Sequence, residues 1–110
     1  RIDLVHSATK DIDNIEIIDF DCLIVDLCKR YKSNVIIRGL RALSDYDFEF
    51  KMALMNRSLD DDIVTLFMMP HERYTHISSS LIKEVASHGG DISQYVPSLV
   101  NKALGEAFEK

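Results

Sequence analysis

The stretch Ile63-Val-Thr-Leu-Phe-Met-Met69 carries apolar side chains at odd and even positions alike. Successive residues of an extended segment point to opposite sides, so such a strand needs cover on both of its faces. That requirement is met in parallel sheets, where crossover helices lie against the strands. A chain built around this segment is therefore confined to α/β architectures.

The rest of the sequence alternates to match. Arg1–Thr9, with Ile2, Leu4 and Val5, predicts the end of a helix, and the β-branched run Asn14–Asp19 predicts a strand. Phe20, Leu23, Ile24, Leu27 and Tyr31 repeat at helical spacing, and Asn34–Ile37 predicts a second strand stopped by Arg38-Gly39. From Ser44 to Leu59, the rows Tyr46, Phe50, Leu54 and Phe48, Met52, Met55 predict a helix buried over a wide arc. After the Ile63–Met69 strand, Leu81, Ile82, Val85 and Ala86 form a helical pattern closed by His88-Gly89-Gly90. Val96, Leu99, Val100, Ala103, Leu104, Ala107 and Phe108 give a final amphipathic stripe. The expected fold is α/β, a Rossmann-like parallel sheet with helices on both faces, in one domain spanning residues 1–110. Three strands make a thin sheet, and the chain opens on Arg1 within a helical pattern. Both features predict that an N-terminal strand lies outside this sequence.

Composition narrows function by exclusion. A formal net charge of -5 disfavours binding of long nucleic acid, which rewards a broad basic face. No apolar run is long enough to cross a bilayer as a helix, so no membrane role is expected. Cys22 and Cys28 have neither a metal nor a redox spacing and read as two reduced, buried thiols of a cytoplasmic protein. His6, His71, His76 and His88 share no ligand spacing, and Asp60-Asp61-Asp62 reads as a solvated connector, so no protein metal site is expected.

In parallel α/β sheets, ligands bind beyond the carboxyl ends of the strands. Arg38-Gly39-Leu40-Arg41 lies at such an end. Two guanidinium groups flanking a glycine can clamp phosphate through paired hydrogen bonds, while the glycine lets a ligand approach the backbone. The competing reading is a surface turn whose arginines pair with Asp45 and Asp47. Tyr74-Thr-His-Ile-Ser-Ser-Ser80 leads into a helix start, where hydroxyls and unpaired amides together make an anion site. Its competing reading is helix capping alone. Glu49 shares a helix face with Ala53 and Asn56 and reads as a carboxylate that accepts from a nucleotide or steadies an arginine, with an ordinary solvated glutamate as the competing reading.

Taken in order, Ile37-Arg-Gly-Leu-Arg-Ala42, Asp45-Tyr-Asp-Phe-Glu49, Met55-Asn-Arg57 and Ile77-Ser-Ser-Ser-Leu-Ile-Lys-Glu84 resemble the phosphopantetheine adenylyltransferases, within the nucleotidyltransferase α/β phosphodiesterase group. The resemblance implies transfer of an adenylyl group from ATP to 4'-phosphopantetheine, giving dephospho-coenzyme A and pyrophosphate. It implies that Arg38 holds the substrate's phosphate, with Leu23, Ile24, Met55 and Asn56 around the pantetheine arm. Gly39, Leu40, Arg41 and Glu49 would line the ATP site, and Tyr74, Thr75, His76, Ile77, Ser78, Ser79 and Ser80 would wrap the nucleotide. Arg41, Ser79 and Ser80 would stabilise the transition state and the departing pyrophosphate. Family members are cytoplasmic, use Mg2+ carried with ATP, and assemble as hexamers of two trimers. Their G-T-F-D-P loop, H-x-G-H motif and substrate lysine are not in this sequence and are expected before Arg1, so residues 1–110 alone are expected to be inactive. Two alternatives stay open: a nucleotidyltransferase acting on nicotinate or glycerol phosphates, and a catalytically dead nucleotide-binding or regulatory domain.

Overall fold

The computed structural model describes residues 1–109. Its elements are α1 (Ile2–Ala8), α2 (Ile24–Arg30), β1 (Val35–Gly39), α3 (Leu43–Leu59), β2 (Val64–Met68), a 3-10 turn (Glu72–Tyr74), α4 (Ser79–Ser87) and α5 (Ser98–Ala107). β1 and β2 pair in parallel with α3 as the crossover, Val35 opposite Val64 and Gly39 opposite Met68. The α/β class with a parallel sheet is therefore as the sequence predicts. No described helix is long and apolar enough to cross a membrane.

The chain divides into two compact units, Phe20–His76 and the combination of Arg1–Asp19 with Ile77–Lys110. The first unit holds the sheet. Its core is Val25 and Cys28 of α2 with Ile63, packed by Ile24 and Ile36. Pleat alternation puts Ile36, Arg38, Thr65 and Phe67 on the face that meets these helices. Val35, Ile37, Val64, Leu66 and Met68 form the opposite face, which is exposed, so the cover expected on both faces of the Ile63–Met69 strand is found on one. Leu40 extends the ladder by one bond, its N–H donating to the Met68 carbonyl at 2.9 Å.

In the second unit α5 contacts both α1 and α4. Val96, Val100, Ala103 and Leu104 of the predicted stripe are half-buried, while Leu99 and Phe108 are exposed. Gly89 ends α4 at φ 80, in the left-handed region where glycine carries no Cβ penalty.

Three expectations are corrected. Asn14–Asp19 forms no strand. Its β-branched residues favour extension locally, but a strand exists through ladder bonds to a neighbour, and no described strand pairs with it. Cys22 is half-buried rather than buried; both thiols are free, with Cys28 in the core. The largest correction concerns α3. Tyr46, Phe48, Phe50, Met52, Leu54 and Met55 are all exposed, and the covered residues are Glu49 and Asn56. Asp45, Glu49, Ala53, Asn56 and Asp60 recur at helical spacing as the covered stripe, so α3 turns a mostly polar face inward.

Ile63 is 3% exposed at the centre of the first unit's core, whereas Val64 beside it is 48% exposed. Ile63→Ala should lower unfolding free energy by about 2–4 kcal/mol, because it removes buried methyls and leaves a cavity. Val64→Thr should cost no more than about 0.5 kcal/mol. Denaturant midpoints of the two variants check the placement of the core, and equal losses would contradict it.

Candidate functional site

The site is assembled at the carboxyl end of β1. Arg38 leaves the strand on the same face as Ile36, the face that α3 also meets. Its Nε donates to Glu49 Oε2 at 3.0 Å and its Nη2 to Glu49 Oε1 at 2.7 Å. This is a two-bond fork between guanidinium and carboxylate, the strongest common form of such a pair. Glu49 is 8% exposed, and a charge so covered persists only when paired. Hydrogen bonds from Arg38 outweigh burial and hold the Glu49 carboxyl below its ordinary range; the same bonds raise the guanidinium.

Three residues on, Arg41 makes a second pair. Its backbone N–H and its Nε both donate to Asp45 Oδ2, at 3.2 and 3.0 Å, and its Nη2 donates to Asp45 Oδ1 at 3.1 Å. The Arg41 side chain, then its backbone N–H, hold the Asp45 carboxyl below the ordinary range. Asp45 and Glu49 stand one turn apart on α3, so a single helix face orients both arginines of the loop. Asp47 does not join them; it pairs with Lys51 at 3.2 Å on the outer surface.

Beside Arg41 and the end of β2 lies a cavity of about 350 Å³ lined by Leu40, Arg41, Ala42, Leu43, Tyr46 and Met69; Arg38, Asp45 and Glu49 are not part of its lining. It opens beyond the carboxyl ends of both strands, where parallel sheets bind ligands. A Cβ built on Gly39 meets no atom within 4 Å, so the space beside that backbone is open to an incoming group.

Leu23 and Ile24 start α2, and Met55 and Asn56 sit in the second half of α3, which contacts α2. Ile24 is packed on the core and Asn56 is buried, whereas Leu23 and Met55 are exposed. Tyr74 ends the 3-10 turn, Thr75 Oγ1 donates to the Glu72 carbonyl at 2.8 Å, and His76 closes the same unit. Ile77 and the serines belong to the other unit. There Ser78 is the N-cap of α4, its Oγ accepting from Leu81 N–H at 3.1 Å, while Ser79 and Ser80 are exposed in the first turn. Capping therefore occupies one of the three hydroxyls.

Sequence reasoning missed three features of this region. Tyr46, assigned by its spacing to the helix core, and Met69, assigned to the strand, instead line the cavity. His71 caps the 3-10 turn, its Nδ1 accepting from Arg73 N–H at 3.1 Å, a role for which Ser, Asn or Asp is the usual signal. Among the described residues no group of three or more His, Cys, Asp or Glu gathers as a metal site.

Residues 1–85 match the cytidylyltransferase-like family, and the chain belongs to that family. Two curated relatives place it more narrowly, among the phosphopantetheine adenylyltransferases. The phosphopantetheine adenylyltransferase of Caldanaerobacter subterraneus subsp. tengcongensis is 44% identical over 110 residues, covering 100% of this chain and 69% of the relative. That of Vesicomyosocius okutanii subsp. Calyptogena okutanii is 50% identical over 104 residues, covering 94% of this chain and 66% of the relative. The chain thus spans about two thirds of the length of the relatives it matches.

The Arg38–Glu49 pair has a signed consequence for stability. The Glu49 carboxyl is held below its ordinary value of 4.5, so its stabilising contribution is complete above about pH 4.5 and is lost as pH falls through the lowered folded value. Glu49→Gln, which cannot ionise, should lower stability at pH 7 and lose less of what remains between about pH 5 and 3 than the parent does. Unfolding curves at several pH values in that window check this. Parallel pH dependences would mean that the pair does not stabilise the fold.

Proposed function

We propose that the protein carrying this sequence is an adenylyltransferase of coenzyme A synthesis, joining the adenylyl group of ATP to 4'-phosphopantetheine. The observation that carries this reading is a strand-end loop with two arginines, each oriented by a helix carboxylate, beside an open cavity at the carboxyl ends of a parallel pair. The names of the two relatives, at 44% and 50% identity, support the same chemistry.

On this reading an oxygen of the 4'-phosphate attacks the α-phosphorus of ATP in line. A P–O bond forms, the bond from the α-phosphorus to the bridging oxygen breaks, and pyrophosphate leaves with that electron pair. No covalent enzyme intermediate is needed; the protein positions two polyanions and neutralises charge as it develops. Arg38 holds the acceptor phosphate, and Leu23, Ile24, Met55 and Asn56 flank its pantetheine arm. In the first unit Gly39, Leu40, Arg41, Glu49, Tyr74, Thr75 and His76 serve the nucleotide, and Arg41 takes the pyrophosphate. In the second unit the family resemblance assigns Ile77, Ser78, Ser79 and Ser80 to the nucleotide and its phosphates. Glu49 acts on the ligands at least through Arg38, since both of its oxygens accept from that side chain.

Mg2+ carried with ATP would offset negative charge on the triphosphate, and no described cluster of His, Cys, Asp or Glu is assigned to hold it. The carboxylates nearest the loop, Asp45 and Glu49, are committed to arginines. The same reading makes the protein a cytoplasmic hexamer of two trimers. What supports association is the apolar surface of the first unit, where one sheet face and the aromatic rows of α3 are exposed.

The full-length protein should release pyrophosphate from ATP with phosphopantetheine in preference to nicotinate mononucleotide or glycerol phosphate. A preference for either of the latter would overturn the assignment.

Arg38→Ala and Arg41→Ala should fail differently in that protein. Arg38→Ala should chiefly raise KM for phosphopantetheine, because it removes a contact to a ground-state phosphate. Arg41→Ala should chiefly lower kcat, because charge grows on the pyrophosphate only as the bond breaks. Each loss should amount to about 2–4 kcal/mol. Steady-state kinetics with both substrates varied checks the division, and identical patterns would refute it.

A further inference from the structure

Asp45 has been given no part in the reaction so far, yet it receives more bonds from the arginine loop than any other described residue. Its two oxygens accept from the backbone N–H, the Nε and the Nη2 of Arg41. Binding main chain and side chain of one residue closes a small ring. The ring fixes where the loop leaves β1 and, through Nε and Nη2 together, the plane of the guanidinium. An ordinary exposed pair on the same helix shows the contrast. Asp47 and Lys51 have the same i,i+4 spacing, but their side chains are 77% and 73% exposed and meet through one contact at 3.2 Å. The Asp45 and Arg41 side chains are 23% and 39% exposed. A long arginine at a loop end otherwise samples many rotamers, so a carboxylate that holds it from two directions has a positional effect beyond a surface attraction.

We propose that Asp45 is a positioning residue for adenylyl transfer, setting the orientation of Arg41 toward the departing pyrophosphate and acting only through Arg41. The inference rests on the role given above to Arg41. Geometry supports it further: Arg41 and Tyr46, the next residue after Asp45, both line the cavity beyond the strands. The side-chain and backbone bonds from Arg41 also keep Asp45 ionised to lower pH than a free aspartate, so the ring stays closed throughout the neutral range.

The test compares Asp45→Asn, Arg41→Ala, the double variant and Asp47→Asn in the full-length protein. Melting temperature, kcat and both KM values are measured for each. Asparagine keeps an acceptor for the Arg41 backbone N–H but loses the charged two-oxygen grip. Asp45→Asn should therefore lower kcat about 10- to 100-fold through misplacement of the arginine. KM for phosphopantetheine and the melting temperature should stay near the parent values, and Asp47→Asn should leave all four quantities unchanged. In the Arg41→Ala background the Asp45 substitution should cause no further loss, because the group it positions is gone. Parent-like kcat in Asp45→Asn would overturn the proposal and leave Asp45 as a turn cap. An equal loss with and without Arg41 would also overturn it, since Asp45 would then act on ligand or fold directly. If Arg41→Ala itself kept parent kcat, the role of Arg41 would fall first and this inference with it, a result distinct from the other two.

Discussion

The architecture of the first unit turns on one ion pair, Arg38 with Glu49. α3 carries apolar side chains around most of its circumference, so hydrophobicity alone leaves its rotation undecided. The two-bond fork from β1 decides it. With Glu49 committed to Arg38, the stripe of Asp45, Glu49, Ala53, Asn56 and Asp60 must turn inward, and the aromatic rows must turn out. A covered glutamate is costly unless fully engaged, so its partner on β1 is as much a requirement of the helix as the helix is of the strand. The same rotation brings Asp45 to the loop that leaves β1, where it meets Arg41.

On the proposed reading, function depends on that rotation more than on the sheet. A phosphate clamp on a loop end needs its cations held before the ligand arrives, because ordering long side chains at the moment of binding costs free energy. Here the holding groups sit on regular helix, one turn apart, rather than on the loop itself. The strand supplies the origin of the loop, the helix supplies the orientation of its arginines, and the cavity between Leu40 and Met69 supplies the space.

How much of this was legible in the sequence differs by residue. The apolar run of β2, the arginine loop and the capping of α4 by Ser78 could be read, because each depends on neighbours within a few positions. Asn14–Asp19 misled because a strand is a pairing and not a local preference. α3 misled for a related reason. Its apolar rows predicted the buried side, yet the inward face was set by an arginine eleven residues earlier, across a strand and a turn. Glu49 read as solvated, as a ligand acceptor or as a brace for an arginine, and the structure selects the brace. His71 escaped notice because an imidazole caps a turn only as an acceptor, a tautomer choice that no sequence pattern records.

The paired arginines also govern how a ligand is met at a distance. Each positive charge stands about 3 Å from a fixed negative one, so the loop projects dipoles and not two bare charges. A dipole's field fades faster than a monopole's, and the chain as a whole carries a formal charge of -5. Long-range attraction therefore contributes little to the encounter with a polyanion, and salt, by screening the repulsion from the net negative chain, should not slow its arrival. Selectivity is deferred to contact, where a ligand must match the orientations that Asp45 and Glu49 have already fixed.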